Sequence, residues 1–304
     1  MPKKKSSFKN LYAITKITAK EWIKADPFRQ SAVVAYYAVF SIPALLVIVI
    51  AIAGLVFGEE AVRGEISEQI QQALGPDTAE SVEDIIIKAS EEKTSIIATI
   101  IGIVTLIVGS TGVFSELQTS LNNIWEVQVV AKRKWLKTIK TRLFSFGLVL
   151  SLAFLMLVSL LLTTGLEALS GMIKHRFPDF VPFLLRVAGF LLSFGIITLL
   201  FALIFKILPD AKIRLRDVWI GAMVTTLLFI LGKFLLGIYF AKANPGSTYG
   251  AAGSIVLIML WVSYSCMILF FGAEFTKQYA VFLGHEIQPK PQAKIVEQPD
   301  PKAG

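Results

Sequence analysis

A membrane-embedded all-α fold with six transmembrane helices is what three features of the sequence predict. The 304-residue chain is 55% hydrophobic and only 17% charged, and its mean hydropathy of +0.67 lies far above what a soluble core requires. Its apolar residues gather into six runs, each near or above the roughly 20 helical residues that span a hydrocarbon core about 30 Å thick. Its basic residues alternate with those runs, so that 22 of the 30 Lys and Arg fall on one side of the resulting spans. Topology therefore explains the formal charge of +8. No nucleic-acid partner is expected, because the basic residues are not collected on a water-exposed domain.

Residues 1–31 read as a basic amphipathic segment on the cytoplasmic side. At about 100° per residue, Phe8, Leu11, Ile14, Thr18 and Trp22 share one face and Lys9, Lys16, Lys20 and Lys24 the opposite one. Such a helix is expected to lie in the membrane interface along an anionic inner leaflet; the alternative is that it packs on the protein's own cytoplasmic loops. Asp26-Pro27 breaks it. The membrane domain, residues 32–280, follows with spans at 32–57, 95–114, 143–166, 182–206, 218–240 and 250–272. Ala51-Ile52-Ala53 has the look of a signal cleavage site, but the basic region and the apolar run before it are both longer than a signal peptide's.

Between the first two spans, residues 58–94 hold ten acidic and three basic residues and predict an external helical hairpin. Val62, Ile66, Ile70, Ala73 and Leu74 make one stripe, ended by Gly75-Pro76; Val82, Ile85, Ile86 and Ala89 make the other, opened by Asp77 and Glu80 as a capping pair. Neither helix can bury its stripe alone, so they are expected to pack on each other or over the ends of the spans. The Lys and Arg asymmetry puts segment 1–31, the 115–142 loop, the 206–217 connection and the C-terminal tail in the cytoplasm. The tail, residues 281–304, is rich in Pro and Lys and is expected to be disordered.

The second span reaches 20 residues only if Gly109-Ser110-Thr111-Gly112 is counted inside it, and the helix then continues into a polar stretch. Val113, Phe114, Leu117, Leu121, Ile124 and Trp125 fall on one face; Gln118, Thr119, Asn122, Asn123 and Glu126 fall on the other. Unpaired amides in hydrocarbon cost several kcal/mol, so this face must meet water or another polar surface. Two alternatives stand: a solvated elbow, or the polar wall of a cavity open to the cytoplasm, with Ser115, Gln118, Asn122 and Asn123 as candidate substrate-binding residues. Glu274, at the end of the last span, either pairs with Lys277 one turn on or joins that wall.

Arg186 and Lys233 are charges inside spans, each placed roughly 6 to 10 Å below the outer surface. Each either snorkels to the interface or faces the bundle interior as part of a site for an anionic head group. Ser41 and Pro43 in the first span and the glycines of the later ones suit either a substrate path or close helix packing.

Four stretches together resemble the YihY/BrkB family of bacterial inner-membrane proteins, also known under the older label ribonuclease BN. They are "SAVVAYYAVFSIPALLVIVIAIAG", "GSTGVFSELQTSLNNIWEV", "LPDAKIRLRDVWIGA" and "YGAAGSIVLIMLWVSYSCMILFFGAEF", which occur in family order and spacing. The resemblance implies a six-helix, multi-pass protein of the bacterial plasma membrane. It implies no defined activity; the family is linked by name to virulence and in places to envelope lipids.

Chemistry-bearing clusters are sparse. Cys266 is the only cysteine and His175 and His285 the only histidines, so no metal or other cofactor is expected. Glu116, Glu126, Asp210, Asp217 and Glu274 are scattered rather than arranged, which argues against a nuclease or other hydrolase. There is no phosphate-binding loop and no chain of intramembrane carboxylates. The expected function is handling or transport of an amphiphilic substrate, an anionic lipid foremost, in the cell envelope; the alternative is a non-catalytic scaffold. Expected partners are membrane lipids, a second copy of the chain or other envelope proteins.

Overall fold

A computed structural model describes residues 8–74, 76–91, 96–130, 180–243, 253–291 and 293–295. Among these, eight helices carry most of the described residues: α1 (Phe8–Lys24), α2 (Pro27–Phe57), α3 (Glu59–Leu74), α4 (Pro76–Glu91), α5 (Ile96–Ile124), α6 (Phe180–Ile207), α7 (Leu215–Ala243) and α8 (Gly253–Phe282). Four short strands complete them: β1 (Val127–Val129), β2 (Ala211–Lys212), β3 (Gln288–Pro289) and β4 (Ala293–Ile295). The segments Val187–Ile207, Leu215–Phe240 and Gly253–Phe282 are each long and apolar enough to cross a membrane. Within the apolar 18-residue stretch of each, only 22%, 22% and 33% is buried inside the protein, so most of that apolar surface needs a non-aqueous surrounding. Helices α2 and α5 coincide with the first two predicted spans; the third, at 143–166, lies outside the described residues.

The breaks between helices follow local chemistry. Asp26 takes a left-handed conformation (φ 53°) and accepts a hydrogen bond from Arg29 Nε at 2.8 Å, while Pro27 opens α2 at the position where its missing N–H costs nothing. Gly58, at φ 85°, turns the chain from α2 into α3 and donates its N–H to Gly54 O at 2.9 Å. Pro76 opens α4, which places Asp77 inside the first turn rather than ahead of it. The hairpin packs both ways at once: Val62 and Ile66 of α3 and Val82 of α4 share a buried cluster with Ile50 of α2, and Ile258 of α8 lies against it.

Close helix approach is built on small residues. A Cβ on Gly109 would lie 3.1 Å from Ser41 Cβ, and one on Gly112 would strike the Tyr37 ring, so these glycines let α5 lie directly on α2. Between α7 and α8 the device is reciprocal. Gly221 faces Thr276 and Gly272 faces Thr225 so closely that no Cβ fits at either glycine. Each threonine hydroxyl donates to the carbonyl of the glycine four residues before it, at 2.7 Å in both cases. The sequence spells this twice, as Gly-Ala-Met-Val-Thr at 221–225 and Gly-Ala-Glu-Phe-Thr at 272–276, read in opposite directions.

The main core lies at the basic end of the bundle, where α1, the 208–214 turn and the chain after α8 gather. Leu121, Ile124, Trp125, Phe205, Ala211, Val218, Phe270 and Ala273 are buried together there. One sequence-based expectation needs correction at this end, and for α1 the structure shows which face packs on the protein. Residues 283–291 and 293–295 are not a free tail: β3 pairs antiparallel with β2 (Ala211 with Pro289, Lys212 with Gln288), and β4 pairs with β1 (Val127 with Ile295, Val129 with Ala293). Backbone pairing holds this segment, and a composition poor in apolar side chains does not register it. In α1, the face carrying Ile14, Thr18 and Trp22 is turned inward. Ile14 and Thr18 are buried, and the Trp22 ring meets Phe271 of α8 edge-on at 5.8 Å. At about 1.5 Å per residue, the 30 residues of α8 run to about 45 Å, longer than the bilayer core, so its last turns offer α1 an apolar protein surface.

Candidate functional site

The polar stretch that follows the second apolar run is continuous helix through Gly109–Gly112 to Ile124. Its polar face splits. Gln118 Nε2 donates to Leu208 O at 3.1 Å and to Asp210 Oδ2 at 3.2 Å. Asn122 grips Asp210 twice, Nδ2 donating to Oδ2 at 2.9 Å and Oδ1 accepting the Asp210 N–H at 2.7 Å. Asp210 is 4% exposed, so these amides supply the hydrogen bonds that water gives an exposed carboxylate. Ser115 and Asn123, by contrast, are exposed, and Thr119 Oγ1 turns back to Ser115 O at 2.8 Å. Of the four predicted residues on α5, two are committed to a buried clamp and two face outward.

The segment after α8 closes over the same turn. Lys290 N–H donates to Asp210 O at 2.8 Å, and Lys290 Nζ to Ile207 O at 3.1 Å. His285 Nδ1 lies 2.8 Å from Oδ2 of Asp217, whose side chain is 1% exposed. The turn between α6 and α7 is thus held from one side by α5 and from the other by β3 and His285. Sequence reasoning found Gln118 and Asn122 but missed their partner; the Pro-Asp turn at 209–210 was the available signal.

Glu274 makes no salt bridge with Lys277, although the charge of Lys277 acts on it. Lys277 Nζ reaches across to Glu126 Oε1 at 3.1 Å, joining the end of α5 to α8, and the buried Glu274 instead accepts from Gln278 Nε2 at 2.7 Å. The i, i+3 spacing was sound, but Glu126, in the turn after α5, takes the Lys277 ammonium. Arg186 lies in α6 with its side chain outside the described residues; Lys233 is half-buried in α7, beside Gly232, which faces Tyr264 of α8. A hydrogen bond of 3.0 Å from Thr198 to Thr226 fixes the register of α6 on α7. Stepping from it at about 1.5 Å per residue puts Arg186 about 18 Å and Lys233 about 10 Å toward the same end. The two are offset by about 7 Å in depth rather than level. Among the described residues no three His, Cys, Asp or Glu side chains gather as a metal site requires.

A family profile described as Virulence factor BrkB matches residues 18–295, ending where β4 ends. The chain belongs to the BrkB family. Relatives bearing the name UPF0761 membrane protein include one from Tolumonas auensis, 31% identical over 59% of this chain and 56% of its own length. Another, from Alcanivorax borkumensis, is 27% identical over 86% of this chain and 59% of its own; a third, from Psychromonas ingrahamii, is 27% identical over 82% and 81%. The chain thus spans a little over half the length of the first two. No solved structure matches it. Family, relatives and apolar helices together make this an integral membrane protein of the BrkB type.

Proposed function

We infer that this BrkB-family protein crosses the bacterial inner membrane six times, with both termini in the cytoplasm, and handles an amphiphilic substrate with an anionic head, a lipid foremost. The observation that carries this is Lys233. It is the only charged residue between Asp217 and Lys242 of α7, it is half-buried, and the neighbouring Leu231, Phe234 and Leu235 are 55%, 65% and 52% exposed. A cation set in an apolar outward surface costs several kcal/mol unless an anion or the interface relieves it, and an anionic amphiphile supplies the counter-charge and the apolar contact at once. Arg186, nearer the same end of the helix pair, is the second group in this assignment. Gln118 and Asn122 are assigned to holding the basic end together and Glu274 to a bond within α8, with Ser115 and Asn123 at the solvated rim.

Reconstituted vesicles carrying fluorescent phosphatidylglycerol or phosphatidylcholine in one leaflet test the proposal. The expected result is faster leaflet exchange of the anionic analogue, lost by about tenfold or more in Lys233→Met, with wild-type thermal stability; a tenfold change corresponds to about 1.4 kcal/mol. No exchange above protein-free vesicles, or equal exchange by Lys233→Met, would overturn it and leave the scaffold alternative.

A further inference from the structure

We propose that α1 docks on anionic lipid through the face opposite to its apolar stripe. Packing Ile14 and Thr18 against the protein turns outward a face on which Tyr12, Ile23, Lys16 and Lys20 follow one another within about 80° of arc, flanked by Ile17. Tyr12 is 73% exposed and Ile23 64%. Lys24 and Arg29 bond to the neighbouring acids Glu21 and Asp26, whereas Lys16 and Lys20 have no ion-pair partner among the described residues. Aromatic and aliphatic side chains interleaved with unpaired lysines are the composition that enters the head-group layer of an anionic leaflet, where each lysine is drawn by the surface potential.

The C-terminal end of α1 lies beside the start of the surface that α2 turns outward. Phe28 touches Trp22 (ring centroids 6.0 Å), and from Phe28 an outward aromatic stripe continues along α2 through Tyr36 and Phe40, all largely exposed. The surface that α2 presents to lipid therefore begins at the end of α1. Trp22 against Phe271 and Phe28 clamps the helix there. The outward face is thus fixed before any lipid arrives, and docking orders little that is not already ordered. The inference rests on α2 being a membrane span, which belongs to the function proposed above, but needs no transport.

The test uses full-length protein in the Cys266→Ala background, with a fluorophore on Ile23→Cys or, separately, on Phe40→Cys, reconstituted in phosphatidylcholine vesicles with or without phosphatidylglycerol. Quenching by acyl-brominated lipid reads immersion. The residue-23 label should be quenched at least about threefold more with the anionic lipid present, and high salt or Lys16→Gln/Lys20→Gln should abolish that difference. Equal quenching in both lipids, a label that stays in water in both, or energy transfer between labels on two copies in place of lipid quenching would each overturn the proposal. Quenching at residue 40 without any at residue 23 would sink the docking of α1 alone; none at residue 40 would remove the span beneath both proposals.

Discussion

Asn122 engages Asp210 through both ends of its amide, while Asn123, the next residue, faces solvent. The pair is an internal control. Asn122→Ala removes two hydrogen bonds and leaves a buried carboxylate short of donors, a loss of about 2–4 kcal/mol; Asn123→Ala should stay within about 0.5 kcal/mol. Thermal unfolding of the detergent-solubilised protein checks both, and equal effects would mean that the Asp210 clamp does not hold the turn. The sequence made Gln118 and Asn122 visible because amides on a helix leaving a membrane demand partners. It could not name Asp210, 88 residues away, because any polar surface would have met the same demand. Lys277 shows the converse: its spacing to Glu274 was legible, and the competing Glu126 came into reach only once α5 and α8 were laid side by side.

At the scale of elements, apolar length located α2, α6 and α7 within about five residues and the starts of α5 and α8, which run ten residues past their apolar spans, and the hairpin stripes located α3 and α4. A run of 20 or more apolar residues has few other structural uses, so this part of the fold was written in composition. Contacts between elements were not. The Gly-Ala-x-x-Thr pattern occurs in both α7 and α8, yet its meaning depends on an antiparallel register that only the packed pair reveals. Gly221→Ala should destabilise by about 1–3 kcal/mol through overpacking on Thr276, and Gly221→Ala/Thr276→Gly should recover most of that loss. If the double variant is as unstable as the sum of its single changes, the threonine is not what the glycine accommodates. The segment after α8 was misread for a different reason. Its ladders use backbone atoms, and a Pro- and Lys-rich sequence carries no side-chain signature of them.

For the whole molecule, the arrangement has an acidic hairpin at one end of the bundle and at the other a basic end stitched together by α1, the Asp210 turn and the two short ladders. The charge asymmetry predicts which end faces the cytoplasm. In the Cys266→Ala background, a cysteine at Ser81 should react in intact cells with a membrane-impermeant reagent and one at Thr138 only after lysis; the reverse pattern would invert the topology. The function proposed for this frame depends on Lys233 meeting an anion from the membrane. The most direct measurement is a high-resolution map of the protein purified with native lipids. The account predicts a lipid head group within salt-bridge distance of Lys233 Nζ, its acyl chains lying along Leu231, Phe234 and Leu235. A Lys233 side chain extended to the membrane surface with only water around its ammonium would contradict it.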